Sequence, residues 1–166
     1  MRWCKKGFIC DCNSFNLSWY KKNSMVPLPF QLDKHTIRIF LTMCDKQNIG
    51  RIGYVDVSAE NPSIILGYSK EPLVDIGIDG SFDDNGVVTA SLLEDGDRLY
   101  MYYSGYQLCV KVPYLIFTGV AVSYDHGHSF IKLTKEVPLL DRVEGEMANR
   151  CVPFIIKEGN LYKMWY

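Results

Sequence analysis

The chain has 166 residues, 48% of them apolar and 13% aromatic, with a formal net charge of −1 and a pI near 6.3. That length supports one domain with its own core, and the near-neutral balance excludes the basic footprint of a nucleic-acid or anionic-membrane binder. The aromatic content, with 11 Tyr, favours sheet over helix.

The opening stretch, "MRWCKKGFICDCN", has no sustained apolar region and no small-residue cleavage site, so it is not read as a signal peptide. The cysteines, Cys4, Cys10, Cys12, Cys44, Cys109 and Cys151, match no zinc spacing. Without an export signal they read as reduced thiols, packed as small hydrophobes, in a cytoplasmic protein. No metal and no cofactor is expected.

No amphipathic helix longer than two turns stands out. Instead, short runs of near period two follow one another between turn signals. "VPLPFQLDKHTIRIFLTM" from Val26 gives a strand, a polar turn and a second strand. "GRIGYVDVSAENPSIILG" gives another pair, and the link "SKEPLVD" carries a proline. The order then repeats: "VVTASLLEDGDRLYMYYS" from Val87, "FTGVAVSYDHGHSFIKL", and the link "TKEVPLLD". "VPFIIKEGNLYKMWY" from Val152 begins a third copy. The longest nearly apolar run, "VPYLIFTGVAV", is too short to span a bilayer and reads as strand. The starts of the copies lie 61 and 65 residues apart. Four antiparallel strands repeated at a near-constant period predict an all-β fold, a β-propeller of four-stranded blades. Blade one falls at about 19–70, blade two at about 80–135, and the start of blade three at about 150–166.

"SYDHGHSF" (123–130) raises the question of a metal site at His126 and His128. The segment fits S-x-D-x-G-x-S-F through Ser123, Asp125, Gly127, Ser129 and Phe130. In this it resembles the Asp-box, the turn between the third and fourth strands of blades in sialidases and related propellers. Asp125 is expected to accept from backbone N–H groups ahead of it, Gly127 to supply an unusual backbone angle, and Phe130 to enter the core between blades. The two histidines then occupy variable positions expected to point outward, not metal positions.

Across nearly the whole chain the sequence resembles the five-bladed propellers of glycoside hydrolase families 43, 32 and 68 and the related mannoside phosphorylases. It is most similar to the glycosidase type associated with bacterial surface-polysaccharide loci. The residues that carry the likeness are "WCKKG" (3–7), "RIFLTMCDKQNIGRIGYVDV" (38–57), "GSFDDNGVVTASLLEDGDRLYMYYSGY" (80–106), "GVAVSYDHGHSF" (119–130) and "KEGNLYKMWY" (157–166). The resemblance implies a carbohydrate ligand, a glycan or glycan precursor, in a central funnel lined by the innermost strand of each blade. Glycoside hydrolysis there needs two carboxyl groups, ~5–5.5 Å apart for retention or ~6.5–9.5 Å for inversion, one of them held protonated.

The repeat predicts which residues ring the funnel. Three positions before Val26, Val87 and Val152 stand Asn23, Asp84 and Asn149. The resemblance implies Asp, Asp and Glu there, so only Asp84 has the expected carboxylate. Glu146, in "DRVEGEM", and Asp45, in "CDKQNIG", are the further catalytic candidates; the bland reading of Asp45 is a turn residue and of Glu146 a solvated loop carboxylate. Asn23, Asp83, Tyr103, Asn149 and Trp19 are the candidates for substrate binding, against turn or core roles. Cys44 replaces an arginine of the family pattern. The Asn substitutions leave open a second function, a non-catalytic glycan-binding or scaffold propeller. A third, a phosphorylase or transferase, would need grouped basic residues, and nothing in the spacing groups Arg38, Arg51 and Arg142. The strand count gives about two and a half blades, with an apolar flank at Leu161, Met164 and Trp165. The expectation is a piece of a longer chain or, alternatively, a second copy that completes the ring.

Overall fold

A computed structural model describes residues 2–166. The first sheet is an antiparallel meander of β1 (Ser24–Gln31), β2 (Thr36–Cys44), β3 (Gly50–Ser58) and β4 (Ile65–Tyr68). The second repeats it with β5 (Val87–Asp95), β6 (Arg98–Leu108), β7 (Tyr114–Ser123) and β8 (Ile131–Lys132). A short β9 (Asn149–Arg150) lies parallel to β7, and β10 (Phe154–Glu158) pairs with β11 (Leu161–Trp165) in a separate hairpin. The protein is thus all-β, built on four-stranded antiparallel sheets. Its one helical element among the described residues is a single 3-10 turn, Cys12–Ser14, capped by Asp11. No helix of the described residues is long and apolar enough to cross a membrane.

Alternation along β2 explains how the first sheet is held. Phe40 faces the second sheet and packs with Phe30, Ile52, Val87, Leu99 and Met101. Leu41 and Met43 face the other way, onto Phe15, Leu17, Trp19 and Tyr20 of the N-terminal segment. Both faces of the sheet are therefore covered, and each fully buried side chain of this size contributes about 1.5–3 kcal/mol. The second sheet carries the hairpin on its opposite face, where Ile155 is buried and Asp95 holds Lys157 and Tyr162.

The first strands of the three sheets are neighbours. Thr89 on β5 donates from its hydroxyl to the Val26 carbonyl at 2.5 Å, and its N–H donates to the Thr42 hydroxyl at 3.0 Å. One step on, Ser91 donates to the Pro153 carbonyl at 2.8 Å, and the Val152 N–H donates to the Ser104 hydroxyl at 2.9 Å. The same hydroxyl-to-backbone stitching thus recurs at both junctions. Val26 and Val152, equivalent in the repeat, both adopt left-handed backbone, φ 48° and 55°. That region is unfavourable for a β-branched side chain. Both precede a proline, and Val26 sits in the β1 bulge between Met25 and Leu28.

The segment 123–130 forms the expected turn between β7 and β8. Asp125 Oδ1 accepts from the His128 and Ser129 N–H groups at 3.0 and 2.8 Å, and Oδ2 accepts from the Ser129 hydroxyl at 2.6 Å. Gly127 has φ 85° and donates to the Ser123 hydroxyl at 2.7 Å. Phe130 meets Phe40 edge to face at 5.6 Å, half-buried. His126 and His128 are exposed, as expected of outward positions, but they also touch the first sheet. His126 packs against Phe30 with centroids 5.1 Å apart, its Nε2 lies 3.2 Å from the Leu32 carbonyl, and His128 Nδ1 is 3.5 Å from Arg38 Nη1. Arg38 itself, 2% exposed, donates to the Gly127 carbonyl at 2.8 Å. The turn is a clasp between the two sheets. Of the cysteines only Cys44 is buried; Cys4 is exposed and the rest are half-buried, so the reading of small buried hydrophobes holds for Cys44 alone.

Candidate functional site

One end of the molecule gathers the leading residues of the first strands and the turns beside them. The Cys44 N–H donates to the Asn23 carbonyl at 2.9 Å, which places the β2–β3 turn against the start of β1. In that turn Asn48, with φ 70°, accepts from the Asn23 side chain at 3.0 Å. Across the seam, Gly50 and Gly86 let the two backbones meet: a Cβ on Gly50 would stand 3.1 Å from the Val87 carbonyl oxygen. Between them lies a cavity of about 110 Å³ lined by Asn48, Gly50, Asn85, Gly86, Tyr106 and Tyr114, with Val88. The Asn85 N–H donates to the Tyr106 carbonyl at 3.0 Å, and the Tyr106 and Tyr114 rings meet edge to face at 5.7 Å.

The lining carries no charge. Side-chain amides offer donors and acceptors together, and tyrosine adds a hydroxyl and an apolar face. The arrangement suits a neutral ligand rich in hydroxyl groups. Asn48, Asn85, Tyr106 and Tyr114 are absent from the sequence-based candidates. The asparagines read there only as turn formers, and nothing local shows that two turns 37 residues apart face one cavity.

Of the sequence candidates, Asn23 and Asp84 flank this cavity. Asp84 is half-buried; its Oδ2 accepts from the Gly80 N–H at 2.9 Å and its Oδ1 from the Asn85 side chain at 3.4 Å. It closes the 80–84 turn and orients Asn85. Asp83 points the opposite way and is 0% exposed, paired to Lys132 at 2.7 Å, with the Tyr103 hydroxyl donating to it at 3.1 Å and Ser81 at 3.1 Å. Tyr103 is likewise 0% exposed. Burial first, then the Asp83 carboxylate, push its phenol far above the ordinary value, so it stays a donor. Three glycines make room for this knot; a Cβ on Gly119 would stand 2.3 Å from the Tyr103 ring. Neither Asp83 nor Tyr103 presents an atom to a ligand, which places both in the packing of the second sheet.

Trp19 and Asp45 lie in a different place, an open cleft of about 960 Å³ between the N-terminal segment, the β2–β3 turn and the 70–75 link. Trp19 is 9% exposed, and its indole N–H donates to the Lys70 carbonyl at 2.8 Å, which commits it to the core. Asp45 accepts from the Gln47 and Ile49 N–H groups, both at 2.9 Å, and pairs with Arg51 at 2.8 Å. Burial pushes its carboxyl up, but Arg51 and those amides outweigh it and hold it below the ordinary range. Arg51 also pairs with Asp75 at 2.7 Å. This cleft is larger, yet its one guanidinium and two of its carboxylates neutralise one another.

Glu146 lies in the 143–146 turn before β9, and Asn149 lies in β9 beside β7 of the second sheet. Glu146 is exposed and paired with Arg150 at 2.8 Å; Asn149 is exposed and pairs with Ile116 of β7. No hydrogen bond or ion pair joins Glu146 to Asp84 among the described residues. Of the three arginines, Arg38 is held by Asp56 and Arg51 by Asp45 and Asp75, while Arg142 lies 5.5 Å over the Phe117 ring. No group of three or more metal-ligating side chains occurs among the described residues.

No family model matches the sequence. Two uncharacterized proteins from strains of Mycobacterium tuberculosis are each 33% identical to this chain over 166 residues, all of it. The chain spans about half of their length, 54%. A provisionally assigned glycoside hydrolase from Parabacteroides distasonis, of solved structure, matches with a TM-score of 0.56 over 96% of this chain and 46% of its own, at 14% identity. That likeness concerns the fold.

Proposed function

We propose that the sheets are blades of a five-bladed propeller, arranged radially about the neighbouring strands β1, β5 and β10, and that the chain is a carbohydrate-active protein of the glycosidase type. In this reading the ends of those strands open on a shared hollow, and the uncharged cavity at Asn48 and Asn85 seats one edge of a sugar. The observation that carries it is the juxtaposition of amide and tyrosine side chains from two successive sheets at the leading ends of β1 and β5. The recurrence of hydroxyl-to-backbone stitching between first strands, and the fold-level likeness to a provisionally assigned glycoside hydrolase, support it. Asn23 and Asp84 serve as second-line contacts that hold Asn48 and Asn85.

Recognition without hydrolysis is the form that the side chains favour. Asn23 and Asn149 cannot act as base or acid, Asp45 is neutralised by Arg51, and Asp84 holds a turn. Hydrolysis would have to use Asp84 and Glu146, with Arg150 releasing the latter.

Saturation-transfer NMR with a panel of neutral mono- and oligosaccharides tests the reading, with chromogenic glycosides run in parallel. Expected is transfer to at least one sugar, lost in Asn85→Ala and retained in Glu146→Gln, with no release of chromophore. Release that disappears in both Asp84→Asn and Glu146→Gln would establish hydrolysis instead. Absence of transfer across the panel, with the chain folded, would overturn the carbohydrate reading.

A further inference from the structure

The open cleft beside the β2–β3 turn, about 960 Å³, has a charge pattern that the uncharged cavity lacks. Four cationic and three anionic side chains line it. Arg51 is held by Asp45 and Asp75, at 2.8 and 2.7 Å. What remains is Lys21, Lys46 and Lys70 against Glu71. All three lysines are exposed, and among the described residues none of their ammonium groups pairs with a carboxylate. The cleft is therefore locally positive in a chain whose net charge is −1.

The three lysines come from separate segments, and each is anchored. The Lys21 N–H donates to the Cys44 carbonyl at 2.8 Å. Lys46 belongs to the turn that Asp45 closes by accepting from the Gln47 and Ile49 N–H groups. The Lys70 carbonyl accepts from the Trp19 indole at 2.8 Å, and its ammonium lies 3.8 Å over the Tyr68 ring. A ring face attracts the charge and leaves the N–H donors free for an anion. Walls fixed in advance lower the ordering cost of binding. An ammonium is a point charge that meets carboxylate or phosphate oxygens from several directions.

The β2–β3 turn separates this cleft from the cavity at Asn48 and Asn85 and contributes to both. Lys46 and Gln47 line the cleft, and Asn48 lines the cavity. Two residues of chain span at most ~7 Å, so an oligosaccharide with one unit at Asn48 crosses the turn within its next units. We propose that the cleft binds the anionic end of such an oligosaccharide, a carboxylate or a phosphate. The ligand is then an acidic glycan whose neutral part sits at Asn48 and Asn85. This rests on the carbohydrate reading above and adds to it the charge of the ligand.

Calorimetric titration with trisaccharides that end in one glucuronate, galacturonate or mannuronate unit, each beside its neutral methyl ester, tests it. Counterparts with a 6-phosphate in place of the carboxylate, beside their neutral parents, tell which anion is preferred. At least one acid is expected to bind on the order of ten-fold tighter than its neutral partner. That margin is expected to shrink between about 50 and about 500 mM salt. The acid is also expected to shift the side-chain amides of Asn16 and Gln47 in NMR spectra, which the neutral partner leaves fixed. Lys21→Gln/Lys70→Gln alters two exposed side chains, so far-UV circular dichroism is expected to be unchanged. It should bring the acid within roughly two-fold of its neutral partner, whose own affinity stays as it was. Equal affinity within every pair at low salt, with binding lost in Asn85→Ala, would overturn the acidic-glycan inference and leave the neutral seat standing. A preference for the acid that survives the double lysine variant would do the same. No binding by any member of the panel would overturn this inference together with the carbohydrate reading.

Discussion

The two junctions between sheets are built from different materials. Where the first sheet meets the second, aromatic and aliphatic side chains are sealed from water and a buried arginine crosses the seam. Where the second sheet meets the hairpin, one buried isoleucine and a carboxylate at the surface do the work, beside the Ser91–Pro153 and Ser104–Val152 hydrogen bonds. The backbone stitching is the same in both, so the difference lies in what surrounds it. The first junction has a covered sheet on each side; the second has a hairpin whose far face is open. Stitching sets the register of neighbouring strands, and burial sets how firmly they hold.

Arg38 should show the largest effect. It pairs with Asp56 at 2.7 Å, lies 3.7 Å from the centre of the Tyr54 ring and donates to Gly127. Arg38→Ala leaves Asp56 without its partner and opens the clasp, with an expected loss of about 3–5 kcal/mol. Urea denaturation reads it as a lower midpoint. A loss below that range would mean that the clasp contributes little to the first junction.

Asp125 comes next. Partial burial pushes its carboxyl up, but the hydrogen bonds from Ser129, Ser123 and His128 outweigh this and bring it down to about 2. Asp125→Ala is expected to cost about 1–2 kcal/mol at neutral pH, as for a lost helix cap. The pH dependence has a definite sign. A carboxyl ordinarily near ~3.9 and lowered in the fold stabilises at higher pH, and loses that contribution as protons bind. The gap between wild type and Asp125→Asn should therefore be full above pH ~4 and close as pH falls toward ~2. A gap independent of pH would show that the charge on Asp125 is not what holds the turn.

At the second junction Asp95→Asn removes the charged partner of Lys157 and Tyr162 at a half-buried position on the surface. Surface ion pairs contribute little and are screened by salt. The denaturation midpoint should stay where it was, while proteolysis within 150–166 should quicken, because the hairpin has little else to hold it. A midpoint shift comparable with that of Arg38→Ala would erase the contrast between the junctions.

What the sequence made legible divides along the same line. Strands and their order follow from alternation and turn residues, which are local, and so does the turn at Asp125, whose partners lie within four residues. The direction of neighbouring side chains at a turn is not local. Asp83 and Asp84 look alike in "FDDNG", yet one is sealed against Lys132, 49 residues away, and the other faces the rim. His126 and His128 find their partners 94 and 90 residues earlier, on the first sheet, so a local motif could not show that they dock. Trp19 offers an aromatic face for a sugar in sequence, but the N-terminal segment folds it under as cover for β2 and β3. β9 is two residues long, and its strand pairing comes from β7 alongside it, 33 residues earlier in the chain between Ile116 and Asn149.

The most direct measurement is a chemical-shift titration of the side-chain amides with the neutral sugar that gives the strongest saturation transfer. The expected result is that Asn48 and Asn85 shift together and saturably, with Asn23 following through its bond to Asn48, while Gln47 and Asn16 in the larger cleft stay fixed. Shifts confined to that cleft, with Asn48 and Asn85 unmoved, would contradict a sugar seat at the meeting of the first strands.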